Sequence, residues 1–288
     1  MFLFVRAWPR ASRLPLCAAA IFIAMAVAPR VARAQIDFRN TDRARPLFVE
    51  DAIAVERYGL ELQVAPLRLE RGPAGRYQWG IEPGVEFGVL PRTHVEFGLP
   101  LALADGPGGT VSGLAGIDLG IFHQLNAESD GLPALALRLD ALLPAGGFGP
   151  DRTYLTMGAL ATRSFAGAIR AHANASWTSG STTTGGGGAL AGPGAREVAR
   201  WTAGVAADRT FVLESTLVGA EVVLRQPIAP GSAVEWMLGA GARVQLDPRW
   251  VLDIGVGRRI GDTDSAWYAT VGGAYAFGWR WTSIGGGR

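Results

Sequence analysis

Side chains able to do chemistry on another molecule are few in this sequence. Its three histidines are His94, His123 and His172, and none sits in a His-rich cluster with metal-ligand spacing. No serine stands in a recognisable nucleophile setting. The loop glycines from Gly106 to Gly109 and from Gly185 to Gly188 have neither a lysine nor a following helix, so they do not make a phosphate cradle. Catalysis, a metal centre and a cofactor are therefore not expected. What does recur is charge on alternate residues between apolar neighbours. Glu82, Glu86, Glu96, Asp118, Glu235 and Asp253 follow this pattern, as do Arg138 with Asp140, and Arg170, Arg243 and Arg259. Glu61 and Glu221 belong to the same set. Charges at even spacing fall on one face of a β-strand, and a shared face of many strands is a surface built to hold charge away from oil.

The elements that position them are strands. Along 77–89, Tyr77, Trp79, Ile81, Val85, Phe87 and Val89 oppose Gln78, Gly80, Glu82, Gly84, Glu86 and Gly88. Along 94–102, Val95, Phe97, Leu99 and Leu101 oppose His94, Glu96 and Gly98. Segments 116–125, 134–143, 234–245, 250–259 and 267–279 repeat the pattern, and further strands are expected near 57–65, 154–163, 168–178, 199–209 and 215–225. The faces of 154–163 are not assignable from its Ala- and Thr-rich sequence. A soluble β-sandwich also alternates. These segments, however, run to ten residues or more, the length a tilted strand needs to cross a bilayer, whereas soluble strands average about five or six. Aromatic residues gather toward segment ends (Tyr58, Tyr77, Trp79, Trp177, Trp201, Trp250, Trp267, Phe277, Trp279), as an interfacial girdle would.

The chain start agrees with export. Arg6, Arg10 and Arg13 precede an uncharged apolar run from Leu14 to Ala28, and Ala32-Arg33-Ala34 is a small-x-small cleavage site. Residues 1–34 are read as a cleavable signal peptide and Gln35 as the mature N-terminus. The only cysteine, Cys17, lies within that segment, so neither a disulfide nor thiol chemistry is expected in the mature chain. All fixed positive side chains are arginines, and a net charge of +2 gives no argument for nucleic acid. Forty glycines and nine tryptophans with a positive mean hydropathy describe neither a disordered chain nor an ordinary soluble one. No helix-length apolar segment follows the signal, and only helices or closed barrels satisfy every backbone group in lipid.

The expectation is an all-β, antiparallel transmembrane β-barrel of about twelve strands, with both termini periplasmic. Residues 35–56 are assigned to a periplasmic N-terminal segment, 57–281 to the barrel and 282–288 to a C-terminal tail. Outer loops are expected at 66–76, 103–112, 144–152, 179–198, 226–232 and 260–265. Inner turns are expected at 90–93, 126–132, 165–167, 209–211 and 246–249. The polar face then lines the lumen, where acids outnumber arginines and mildly favour cations. Lumen-side glycines either relieve strand curvature or leave open cross-section.

Arg45-Pro46-Leu47-Phe48-Val49-Glu50-Asp51-Ala52, then Tyr58-Gly59-Leu60-Glu61-Leu62, resembles the start of the outer-membrane family labelled "MetA-pathway of phenol degradation". So does the stretch from Gly84 to Leu101, with its polar turn, acid-aromatic-Gly and Leu-Pro-Leu. The resemblance implies an outer-membrane channel; it transfers no functional residues. Outer-membrane barrels usually end on an aromatic residue, whereas here Trp279 and Trp281 precede the tail Thr282 to Arg288. The leading reading is a passive channel for small solutes, with aromatic or apolar compounds as one candidate class. The rivals are a non-conducting structural or surface-interaction barrel and, more weakly, a lipid-modifying barrel enzyme. Expected partners are outer-membrane lipid and lipopolysaccharide, the barrel assembly machinery and an unidentified small-molecule solute.

Overall fold

The computed structural model describes residues 39–71, 77–106, 109–180, 198–228, 231–262 and 265–278. The expected signal peptide and cleavage site, most of the 179–198 loop with Gly185 to Gly188, and the tail with Trp279 and Trp281 lie outside the described residues.

Twelve antiparallel strands close into a barrel. Strand β1 is Gly59–Arg71. Strand β2 has two parts, Tyr77–Ile81 and Gly84–Leu90. Strand β3 is likewise Thr93–Gly98 with Leu101–Gly106, and β4 is Gly109–Leu114 with Ile117–Asn126. The unbroken strands are β5 (Ala134–Leu143), β6 (Tyr154–Phe165), β7 (Ile169–Thr178), β8 (Ala199–Phe211) and β9 (Thr216–Pro227). They are followed by β10 (Glu235–Asp247), β11 (Trp250–Ile260) and β12 (Ser265–Gly278). Each strand pairs with its successor, and β12 closes on β1 from Gly59↔Gly278 to Arg71↔Trp267.

The two faces are chemically opposite. On β5, Leu137 and Leu139 are 49% and 45% exposed, whereas Arg138 and Asp140 are 7% and 4% exposed. The outward row continues through Phe97, Leu119, Met157, Val205, Leu238, Ile254 and Val271. A continuous apolar outer surface of this kind is made for lipid. On β6, where the sequence was ambiguous, Tyr154, Gly158, Leu160 and Thr162 turn inward and Leu155 and Met157 outward.

Three differences from the sequence reading have local causes. Strands β2, β3 and β4 are each interrupted at the same level, at Glu82-Pro83, Leu99-Pro100 and Ala115-Gly116, opposite a register shift at Pro66 of β1. Proline has no N–H for the ladder. The ladder resumes through Leu99 N–H to Pro83 O (3.0 Å) and Ala115 N–H to Pro100 O (2.7 Å). Second, the outer loops expected at 66–76 and 103–112 are shorter, because β1 runs to Arg71 and Leu101↔Leu114 through Gly106↔Gly109 form a hairpin. The first part of β4 has β3 as its only strand neighbour among the described residues, and the Phe148 ring covers Gly113 at its other side. Third, the turn expected at Arg209-Thr210-Phe211 is strand, because all three residues pair with β9. The chain reverses instead through a turn of 3-10 helix at Val212–Glu214.

The larger finding concerns the N-terminal segment. For residues 35–56 the sequence leaves open whether they plug the pore; the described part, 39–56, lies inside the barrel. Leu47 and Val49 pack into a buried cluster with Ala206, Val223, Met237 and Tyr268, and Ala52 into another with Phe122, Ala136 and Leu160. These partners lie on strands around most of the circumference. The segment enters at the short-turn end, where Tyr58 N–H bonds Gly88 O, and occupies the lumen toward that end.

Candidate functional site

Bare charges cannot remain in a dry lumen, so each buried ion needs a partner. The inward charges of the wall find theirs largely on the N-terminal segment, in three groups. In the first, Arg138 binds Asp140 (Nε to Oδ2, 2.9 Å), Glu96 (3.0 Å) and Glu50 of the segment. Arg43 of the segment reaches Asp140 at 3.1 Å and Asp118 at 3.5 Å. In the second, Arg243 binds Asp253 (2.5 Å) and Asp42 of the segment (2.8 Å), and Arg45 of the segment binds Asp253 and Glu61, both at 3.3 Å. In the third, Arg170 binds Asp208 (2.7 Å) and Asp51 of the segment (3.2 Å). His172 lies between Asp208 (Nε2, 3.0 Å) and Thr162 (Nδ1, 3.0 Å).

The segment's backbone is held as well. Glu221 accepts the N–H groups of Phe48 (2.8 Å) and Val49 (2.9 Å). Ala52 N–H donates to Thr162 Oγ1, Ala54 N–H to Gln124 Oε1, and Val55 N–H to His94 Nδ1. Burial pushes the Glu50 and Asp51 carboxyls above the usual carboxylate range, against the pull of Arg138 and Arg170. Burial raises Asp42 too, but Arg243 and Arg45 outweigh it and hold that carboxyl low.

Wall glycines make room for this segment. A Cβ at Gly241 would sit 2.6 Å from Pro46 Cβ, one at Gly255 2.6 Å from Pro46 O, and one at Gly204 2.7 Å from Val49 Cγ2. At these positions the missing side chains admit chain rather than solute, the reading that sequence alone did not supply.

Of the residues singled out in the sequence, Glu96, Asp118, Arg138 and Asp140 come together, as do Arg243 and Asp253. Arg170 joins Asp208, which the sequence reading had not included. Glu86 lies beside Gln63, with which it is hydrogen bonded. Glu235 and Arg259 are a separate set near the loop end: Arg259 binds Glu70 (2.8 Å) and Glu235 (3.2 Å), and Arg225 binds Glu235 (2.6 Å). Glu82 lines the cavity described next. His123 faces outward and pairs with Thr93 Oγ1 at 2.9 Å. The partners that sequence reasoning missed are Asp42, Arg43, Arg45, Glu50 and Asp51. Their signal was present: a dense run of both signs with no strand period, immediately ahead of the first strand.

On the loop side of the segment the lumen opens into a cavity of about 280 Å³. Arg43, Phe48 and Glu50 form its floor, and Leu142, Leu160, Val223 and Met237 supply much of its apolar wall. Arg68 stacks over the rings of Phe48 and Tyr268, 4.6 and 4.4 Å from their centroids. This space is large enough for a small organic molecule and has both apolar and charged walls. Among the described residues no His/Cys/Asp/Glu group has the arrangement of a metal site.

No family model matches this sequence, and no curated protein does. Solved structures do resemble it. The COG4313 outer membrane channel from Pseudomonas putida F1 superposes with a TM-score of 0.54 at 12% identity, over 79% of this chain and 98% of that one. The KdgM porin gives 0.48 at 10% identity, over 76% and 99%, and the CymD monoaromatic hydrocarbon channel 0.42 at 10%, over 78% and 89%. At these identities the likeness is one of fold: a closed antiparallel barrel, twelve-stranded in this chain.

Proposed function

We propose that this protein is a passive outer-membrane channel for small solutes, and that aromatic or apolar compounds are the class it accommodates. The observation carrying this reading is the cavity itself. It is walled by strands, floored by the N-terminal segment, and lined by Phe48, Leu142, Leu160, Val223 and Met237 beside charged groups. In the proposed orientation both termini and the short turns face the periplasm, and the barrel contacts lipid and lipopolysaccharide after insertion by the assembly machinery. The segment then closes the periplasmic side, and transport requires it to shift.

A second reading, a non-conducting structural barrel, draws support from the same segment, because its ion pairs fill the lumen. Two measurements separate the readings. Reconstituted protein should show single-channel conductance that rises when residues 39–56 are deleted. Quenching of intrinsic fluorescence should saturate with small aromatic solutes in the intact protein. Absence of both, in a barrel that folds normally, would leave the structural reading.

A further inference from the structure

Two histidines face the stretch of the segment that leads into β1, and they hold it differently. His94 is 4% exposed and stacks on Phe122, ring centroids 4.7 Å apart and planes 6° from parallel. Its Nδ1 accepts the Val55 N–H at 3.1 Å. A neutral imidazole that accepts at Nδ1 carries its proton on Nε2, and that nitrogen faces Glu96 Oε1 at 3.2 Å. Glu96 in turn binds Arg138, the residue that grips Glu50. One ring therefore touches the segment directly at Val55 and indirectly at Glu50.

We propose that His94 is an acid-sensitive latch: proton uptake at Nδ1 removes the acceptor for Val55 N–H and loosens the stretch between Ala52, which keeps Thr162, and β1. The geometry disfavours keeping the contact once the ring carries a second proton. Glu96 lies on the same strand as His94; Asp42, Glu50 and Asp51 of the segment, Glu61 of β1 and Glu86 of β2 share the small space beside the ring, about 20 Å³, roughly one water in size. The cations tied to this group are already engaged: Arg138 of β5 by Glu50, Glu96 and Asp140, Arg45 of the segment by Asp42, Glu61 and Asp253, Arg243 of β10 by Asp42 and Asp253, and Arg170 of β7 by Asp51 and Asp208. Strand β4 contributes only uncharged neighbours there, Phe122 and Gln124. These carboxyls surround the ring, yet none replaces the acceptor that Val55 loses. Two N–H donors are left facing each other, and a buried unpaired donor is costly.

His172 provides the contrast within the same molecule. Its Nδ1 partner is the Thr162 hydroxyl, which can accept from both Ala52 N–H and a protonated ring. Ala52 keeps its acceptor in either state, so His172 does not share the latch behaviour.

The latch concerns the segment and is independent of whether the barrel conducts. Its test reads the segment directly. A nitroxide label on Ile53→Cys should show a several-fold larger mobile component in its electron paramagnetic resonance spectrum as pH falls from about 7.5 to about 5, the range of an imidazole. His94→Asn supplies a non-titrating acceptor in place of Nδ1 and should abolish the change. Val55→Pro removes the donor instead and should also abolish it, which keeps the test available if His94→Asn does not fold. A pH-independent spectrum in the parent protein would overturn the proposal. So would an equal acid response in either variant, because a different group would then be the sensor.

Discussion

The two ends of the lumen use one vocabulary for two purposes. Toward the short turns, Arg138, Arg170 and Arg243 each bind a carboxylate on the wall and a second on the N-terminal segment. Toward the loops, Arg259 and Arg225 bind Glu70 and Glu235, all on strands. In sequence the two sets look alike: an arginine on an inward position with an acid across the ladder or two residues away. The wall-to-wall set stitches strands that are already hydrogen bonded. The other set fixes a chain that has no ladder of its own. An inward ion pair in a barrel therefore says nothing by itself about whether the lumen is open.

Arg243 should show the difference most strongly. Arg243→Ala takes from Asp253 and Asp42 one of the two arginines they share, leaving Arg45, and breaking a buried pair from one side costs about 3–5 kcal/mol. The expected outcome is a lower urea midpoint for the folded barrel together with an increased mobile signal from a label at position 53. Loss of stability with the segment still immobile would mean that Arg45, through Asp253 and Glu61, suffices to hold it.

Arg259→Gln is the matching change in the other set. It removes Arg259 from Glu70 and Glu235, but Arg68 remains beside Glu70 at 3.5 Å and Arg225 still neutralises Glu235, so neither carboxylate is left without a cation. Stability should fall less than in Arg243→Ala, and the position-53 label should not respond. A mobile segment in Arg259→Gln would erase the distinction between the two ends. If the channel reading holds, this substitution should also shift the reversal potential toward cation preference, since it deletes a positive charge near the loop end.

The extent of what could be read in advance follows from the range of the forces involved. Strand faces obey a period of two, so Leu137 and Arg138, or Leu238 and Gly239, declare their sides from a handful of neighbours. Lipid enforces that local pattern because misplaced charge is expensive. The prolines at 66, 83 and 100 are visible in the sequence, but that they align across three neighbouring strands depends on register, which no single segment contains. The segment was least accessible. Arg43 meets Asp140 and Arg45 meets Asp253, contacts 97 and 208 residues apart in sequence, and residues 39–55 carry no period that would announce a binding face. The glycines were the available hint, and their ambiguity was real: an inward residue without a side chain is equally compatible with a solute, a curve or a strand of chain.

That ambiguity yields the smallest and most specific change. Gly255→Ala adds a single methyl group whose carbon would lie 2.6 Å from Pro46 O and 2.6 Å from Thr270 Oγ1. Either the segment or the wall must give, at a cost of about 1–3 kcal/mol for a well-packed site. The wall is held by the ladders of β10, β11 and β12, whereas Pro46 belongs to a chain anchored through side chains, so the segment should yield. Gly98→Ala is the control: its three nearest neighbours are side-chain atoms of Glu82 and Asp118 on the wall, from 3.1 Å. Gly255→Ala should raise mobility at position 53, and conductance if the barrel conducts, with only a slight fall in the urea midpoint; Gly98→Ala should do neither. Equal, small destabilisation in both variants with an unmoved segment would show that these glycines serve strand curvature, and that the space at Pro46 is not what seats the chain.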